Sequence, residues 1–271
     1  MDKRPIGVFD SGLGGLTCVK EIMKIMPNED VIYFGDTGRV PYGTRSRETI
    51  IKYVEQDIRF LESFDIKAII IACGTASSAA LPWIADGKTV KIMGVVEPAA
   101  RAAVKATKNK KIGVLGTGAT VKYGKYVENI KSICPDAEII QKACPMFVPL
   151  VENGYTESRV AEIIAAEYLQ ELKNAGVDTL ILGCTHYPLL KKIIGEFMGS
   201  GVTLIDSGAA AADSAFEFLK AENLLSGDAT SKRGNCRYFV SDSVEDFSLL
   251  GSVFLEKTIH EDVSKIDIEK Y

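Results

Sequence analysis

Two cysteines occupy positions from which a thiol could act on a ligand. The run "AIIIACGTASS" (68–78) carries apolar and β-branched residues straight into Cys73, Gly74 and Thr75, and "TLILGCT" (179–185) does the same into Cys184 and Thr185. In an open parallel sheet, ligands bind in the crevice outside the carboxyl ends of the strands, so each sulfur faces whatever the protein binds. A lone cysteine is more often a small buried hydrophobe. A matched pair has a specific use: a thiolate on one side of a substrate carbon takes a proton, and a thiol on the other side returns one to the opposite face. The result is inversion of configuration by general base and general acid. A free thiol titrates near pH 8.5, and a neighbouring cation or helix N-terminus lowers that value, so thiolate and thiol can coexist near neutrality.

Other residues could serve the same chemistry. Asp10 and Ser11 end a strand pattern and open a Gly-rich turn. There an acid can hold an ammonium or assist a thiol, although Asp-Ser-Gly is also an ordinary turn former. His186 lies two residues beyond Cys184 and before Pro188, where it could orient or charge-stabilise a thiolate. Hydroxyls and backbone N–H groups at Ser11, Thr75, Thr117 and Thr185, expected near helix N-termini, suit a carboxylate. Donors aimed at that carboxylate would absorb the charge that develops as the α-carbon loses its proton. Arg39, Arg45 and Arg47 read as a solvated cationic face, with steering of an acidic substrate as the alternative.

These residues must be positioned by strands and helices in alternation. The runs "IGVF", "VIYF", "AIIIA", "KIMGVV", "KIGVLG", "EIIQKA", "TLILG" and "VTLID" are apolar without strict alternation, as in strands buried on both faces. Amphipathic segments of helical length lie between them, so the expected class is α/β with doubly wound, mostly parallel sheets. Helices are expected over 48–64 and 156–174. The second takes Thr156 as N-cap, packs Val160, Ile163, Ile164 and Leu172 on one face, and stops at Gly176. In 226–271, "RYFVS" predicts a strand and 247–254 a short helix, followed by a frayed tail.

The second half overlays the first. "IGVFDSG" matches "IGVLGTG", "VIYFGDTGRVP" matches "IIQKACPMFVP", the strand into Cys73 matches the strand into Cys184, and "GVVEPAA" matches "TLIDSGAA". Landmarks in one order at a slowly drifting offset indicate two copies of an α/β unit of about 105 residues, an ordinary domain size. Two such units facing each other would bring both thiols to one crevice.

Composition narrows the class. The chain has 271 residues, 46% hydrophobic and 25% charged, with a net charge of −4 spread along its length. That is long enough for a large core and offers no basic patch for nucleic acid or membrane. No signal-peptide pattern opens the sequence and no apolar run is long enough to span a bilayer, so a cytoplasmic protein is expected. The six cysteines have no CxxC spacing and are expected as free thiols. With only His186 and His260 available, no zinc site is expected. "GVLGTGATV" has Gly116 and Gly118 of a dinucleotide fingerprint, with Glu138 further on, but Val121 stands at the third glycine position.

Taken together, "FDSGLGG" (9–15), "YFGDTGRVPYGTRS" (33–46), "IACGTASS" (71–78), "GVVEPA" (94–99) and "LGCTHYPLL" (182–190) resemble bacterial glutamate racemase, of the cofactor-independent aspartate/glutamate racemase superfamily. The resemblance runs from Ile6 to about Phe254 and implies two pseudo-symmetric α/β domains enclosing glutamate: 1–97 plus 207–271, and 98–206, with the hinge near Glu97 and Asp206. It implies Cys73 and Cys184 as the acid/base pair, with Asp10 and His186 assisting, and substrate contacts at Asp10, Ser11, Tyr42, Gly43, Gly74, Thr75, Thr185 and His186. It further implies no cofactor, a homodimer, and D-glutamate supplied to peptidoglycan. Related substrates, aspartate or a hydantoin, and an inactive amino-acid-binding relative are the alternatives. In one departure, Gly74 stands where the family usually has Asn; it keeps the backbone N–H and loses a side-chain amide, a contact worth about 1.5–3 kcal/mol when made to a charged group.

Overall fold

The computed structural model describes residues 1–84, 87–227, 233–259 and 262–271. Among the described residues, ten strands fall into two sheets. Strands Ile6–Asp10 (β1), Val31–Gly35 (β2), Ala68–Ile71 (β3) and Lys91–Gly94 (β4) lie in the larger sheet, and Lys111–Gly116 (β5), Glu138–Ala143 (β6), Thr179–Leu182 (β7) and Thr203–Asp206 (β8) form the smaller one. Cys236–Val240 (β9) and Val263–Lys265 (β10) return to the larger sheet. The orders are β10-β9-β2-β1-β3-β4 and β6-β5-β7-β8, and every pairing is parallel. The shared motif β2-β1-β3-β4 and β6-β5-β7-β8 is the repeat read from the sequence.

Alternate residues of each strand feed different cores. Ile6, Val8, Tyr33, Ala68 and Ile70 pack on the face covered by helix Leu16–Ile25, whereas Phe9, Phe34, Ile69 and Ile71 pack against Ile50, Val54 and Ile58 of helix Arg47–Glu62. In the smaller sheet, Ile112, Val114 and Ile181 meet helices Val96–Ala106 and Lys125–Ile133, and Leu180 and Leu182 meet helix Arg159–Ala175. Burial on both faces explains why these strands read as continuous apolar runs. Helix Leu16–Ile25 also lies along helix Ser207–Ala221, so one apolar core passes from sheet to sheet.

Several expectations are corrected. The helix expected from Thr156 starts after Ser158, whose hydroxyl accepts from the Ala161 N–H. Its buried stripe is Ala161, Ala165, Leu169 and Leu172, so Val160 and Ile163 face solvent. The face that meets the sheet is set by packing, and it falls on the stripe that includes the small residues Ala161 and Ala165. The tail is not frayed: β10 pairs with β9, Ile268 is buried, and the Tyr271 ring packs 5.2 Å from that of Phe60. The helix placed at 247–254 extends over Val244–Leu255. His260 lies outside the described residues.

Candidate active site

Each of β1, β3, β5 and β7 ends in a turn that opens a helix, and these turns converge. Between the two sheets they enclose a cavity of about 290 Å³. The larger sheet contributes Ser11, Cys73, Gly74 and Thr75; the smaller contributes Thr117, Cys184, Thr185 and His186. Both sulfurs therefore line one enclosure. Thr75 Oγ1 and Thr117 Oγ1 lie 2.9 Å apart across it, and Thr17 Oγ1 donates to the Thr185 carbonyl at 3.0 Å.

The surroundings of the two thiols differ. Cys73 caps helix Gly74–Ala79: its Sγ accepts from the Ala76 N–H at 3.4 Å and lies 3.5 Å from Ser11 Oγ. Burial, reinforced by the nearby Asp10 charge, pushes the Cys73 thiol up to about 12 despite those hydrogen bonds. Cys184 Sγ instead stands 4.0 Å from His186 Nδ1, and His186 Nε2 lies 2.9 Å from Glu152 Oε1. Burial opposes an imidazolium here, but the Cys184 sulfur, the Glu152 carboxylate and Asp10 outweigh it and push His186 up to about 10. His186 thus stands at one sulfur, while the other is held as a thiol chiefly by burial.

Asp10 stands behind the wall, fully buried, accepting from the Gly12 N–H at 3.0 Å and from Thr185 Oγ1 at 3.4 Å; burial raises its pKa. Tyr42 lines the cavity together with Gly43, but its hydroxyl donates to Asp36 at 2.5 Å and lies 3.0 Å from Asp57 Oδ2. Its phenol is committed to that pair. Arg39 is not a solvated cation. It pairs with Asp36 at 2.6 Å and Asp57 at 2.9 Å, and stacks 4.2 Å from the Tyr53 ring centroid. Arg47 stacks on Tyr123, and Arg45 remains exposed.

Glu152, Cys144, Val148 and Pro149 also line the cavity and were not singled out in the sequence. The repeat carried a signal for some of them: Val148-Pro149 occupies the place of Val40-Pro41, and both pairs form wall. Glu152, the last residue of helix Phe147–Glu152, had none. Among the described residues, no group of three or more His, Cys, Asp or Glu could hold a metal ion, and no helix is long and apolar enough to cross a membrane.

The Asp/Glu/hydantoin racemase family model matches residues 14–215. A glutamate racemase of Geobacter metallireducens is 47% identical over 269 residues, covering 99% of this chain and 98% of its own. Among solved structures, a glutamate racemase isoform from Bacillus anthracis superposes with a TM-score of 0.94 at 35% identity, over 98% of each chain. The glutamate racemase of Francisella tularensis in complex with D-glutamate superposes with a TM-score of 0.91 at 37% identity, over the full length of both.

Proposed function

The chain belongs to the Asp/Glu/hydantoin racemase family, and from that premise we propose that it interconverts L- and D-glutamate by proton transfer at Cα between Cys73 and Cys184. The observation that carries this reading is that both sulfurs line one small cavity in different settings. Cys73, buried near Asp10, rests as the thiol. Cys184 has His186 Nδ1 4.0 Å from its sulfur and is placed to act as the base. The Cys184 thiolate takes the α-proton, the electron pair moves toward the substrate carboxylate, and the Cys73 S–H gives its proton to the opposite face. The reverse direction exchanges the roles.

The developing carboxylate charge needs fixed donors. Ser11, Thr75 and Thr185, with Gly74 and Gly43, line the cavity, and their residue types offer hydroxyl and backbone N–H donors for that charge. At about 290 Å³ the enclosure is at or below the lower end of ordinary ligand pockets, which suits a free amino acid. Strong similarity to named glutamate racemases supports glutamate over aspartate or a hydantoin. The separation of the strands into two sheets supports the division into 1–97 plus 207–271 and 98–206. A cytoplasmic homodimer that feeds D-glutamate to peptidoglycan completes the reading, as the resemblance implies.

The test is to incubate the purified protein with L-glutamate in deuterated water without added cofactor. Loss of optical rotation with deuterium at Cα of the D-product is expected. Absence of turnover, or a higher kcat/KM for aspartate, overturns the assignment.

Glu152 gives a second expectation. Replacing it with Gln removes an anion that supports the imidazolium, so the His186 pKa falls from about 10. Activity that needs the imidazolium is then lost at a lower pH, and the alkaline limb of the kcat/KM profile moves down. An unshifted limb in Glu152→Gln would remove His186 from the thiolate's support.

A further inference from the structure

Beside the two-thiol cavity opens a second recess of about 510 Å³, and Gly43, Thr44 and Gly118 border both. Three cations line it. Arg45 and Arg47 come from the turn and helix start that follow β2, and Lys122 from helix Gly118–Tyr123 that follows β5, so the recess, like the cavity, draws on both sheets. Among the described residues none of the three forms an ion pair with a carboxylate. Arg47 is held by a ring instead: its guanidinium carbon lies 4.6 Å from the Tyr123 centroid, and its Nε is buried without an acceptor. Arg45 and Lys122 are exposed. One acid lines the recess, Glu48, whose carboxylate is engaged first by its own backbone N–H and by Ser46. The balance is positive.

Glutamate at neutral pH carries two carboxylates and one ammonium, and the chain has a net charge of −4, so at long range protein and ligand repel. A cationic mouth reverses the field where the ligand must arrive. We propose that Arg45, Arg47 and Lys122 form an outer capture site for the dicarboxylate substrate, which holds it by charge before it passes residues 43, 44 and 118 to the thiols. This rests on the racemase reading and adds a step ahead of it. Because two of the cations are exposed, a carboxylate beside them keeps most of its water and is held through the field, so the site concentrates substrate without touching the proton transfer. Focusing of this kind raises association by about 10- to 1,000-fold and fades with salt.

The experiment compares wild type with the double variant Arg45→Met/Lys122→Met, which removes the exposed cations and leaves Arg47 on its ring. Racemisation of L-glutamate is followed by circular dichroism at about 0.01 M and about 1 M salt, where screening lengths are about 30 Å and 3 Å. At low salt KM should rise about tenfold with kcat within about twofold of wild type, and at high salt the two proteins should converge. Lys131→Met/Lys220→Met removes the same net charge from the last turns of helices that run back from the cavity end of the sheets, and its KM should match wild type. An unchanged KM in the Arg45/Lys122 variant at low salt, a loss confined to kcat, or an equal rise in the Lys131/Lys220 control overturns the capture site. So does a rise in KM that persists at high salt, since that marks lost shape and not lost field. Wild-type protein that does not turn over glutamate would defeat the racemase reading, and the capture site with it; an active wild type whose KM ignores salt would defeat the capture site alone.

Discussion

Cys184→Ser is expected to lower kcat for glutamate racemisation by about 10⁴-fold, at the upper end of what a positioned acid or base contributes. That factor corresponds to about 5.4 kcal/mol of transition-state stabilisation. In the proposed mechanism Cys184 is the base on that side of the substrate, and a serine hydroxyl in its place does not ionise near neutrality. Cys73→Ser is expected to cost a similar factor for the complementary reason: in the proposed mechanism Cys73, a thiol kept protonated by burial near Asp10, is the acid on the far side. The two variants should differ in what they keep. Each retains one sulfur, which still exchanges the α-proton of a single enantiomer with solvent. Cys73→Ser and Cys184→Ser should thus take up deuterium into opposite enantiomers, read by NMR on D- and L-glutamate separately. Exchange of both enantiomers by one variant, or a loss of kcat below about tenfold, would show that the sulfurs are not opposed across one carbon.

Much of the framework behind this chemistry was legible in the chain. β1 to β8 all coincide with the runs read as strands: β1, β2, β3, β5 and β7 are apolar throughout because both of their faces are buried, whereas β4, β6 and β8 lie at sheet edges and are only partly covered. The repeat foretold the matching sheet orders, and with them the meeting of Cys73 and Cys184. Less legible were contacts made by residues far apart in sequence. Glu152 reaches His186 only because helix Phe147–Glu152 ends beside the turn after β7, and no local pattern marks that ending. The resemblance implies Tyr42 as a substrate contact, and no local pattern marks that its hydroxyl lies between Asp36 and Asp57. The β10 strand has too few residues to show a period, and what orders it is pairing with β9.

Arg39 is the clearest case of a residue misread as surface, and its replacement carries the largest expected effect on stability. Asp36 and Asp57 are both wholly buried, and the Arg39 guanidinium is the cation that both contact. Gln56 accepts from it at 2.5 Å, and Glu269 of the C-terminal turn pairs with it at 3.3 Å. Removing one partner of a buried ion pair costs about 3–5 kcal/mol, since the remaining charge is left without compensation. Arg39→Met keeps the stem and deletes the charge, so a loss of that size is expected in urea unfolding, with a fall in Tm on the order of 10 °C. The loss should depend on pH. Burial, and then Asp36, already hold the Asp57 pKa well above the ordinary carboxylate value, while Arg39 pulls it down. Without Arg39 it rises further, so the folded state binds a proton that the unfolded state releases, and stability declines as pH rises. The deficit should be greatest at neutral and alkaline pH and shrink on acidification. Because residues 40–43 follow directly and form cavity wall, KM for glutamate should rise as well. Arg45→Met, at an exposed site, should change stability by no more than about 0.5 kcal/mol. A deficit below about 1 kcal/mol in Arg39→Met at neutral pH would place this arginine among surface pairs, which contribute little. The wall of the cavity would then owe its position to packing alone.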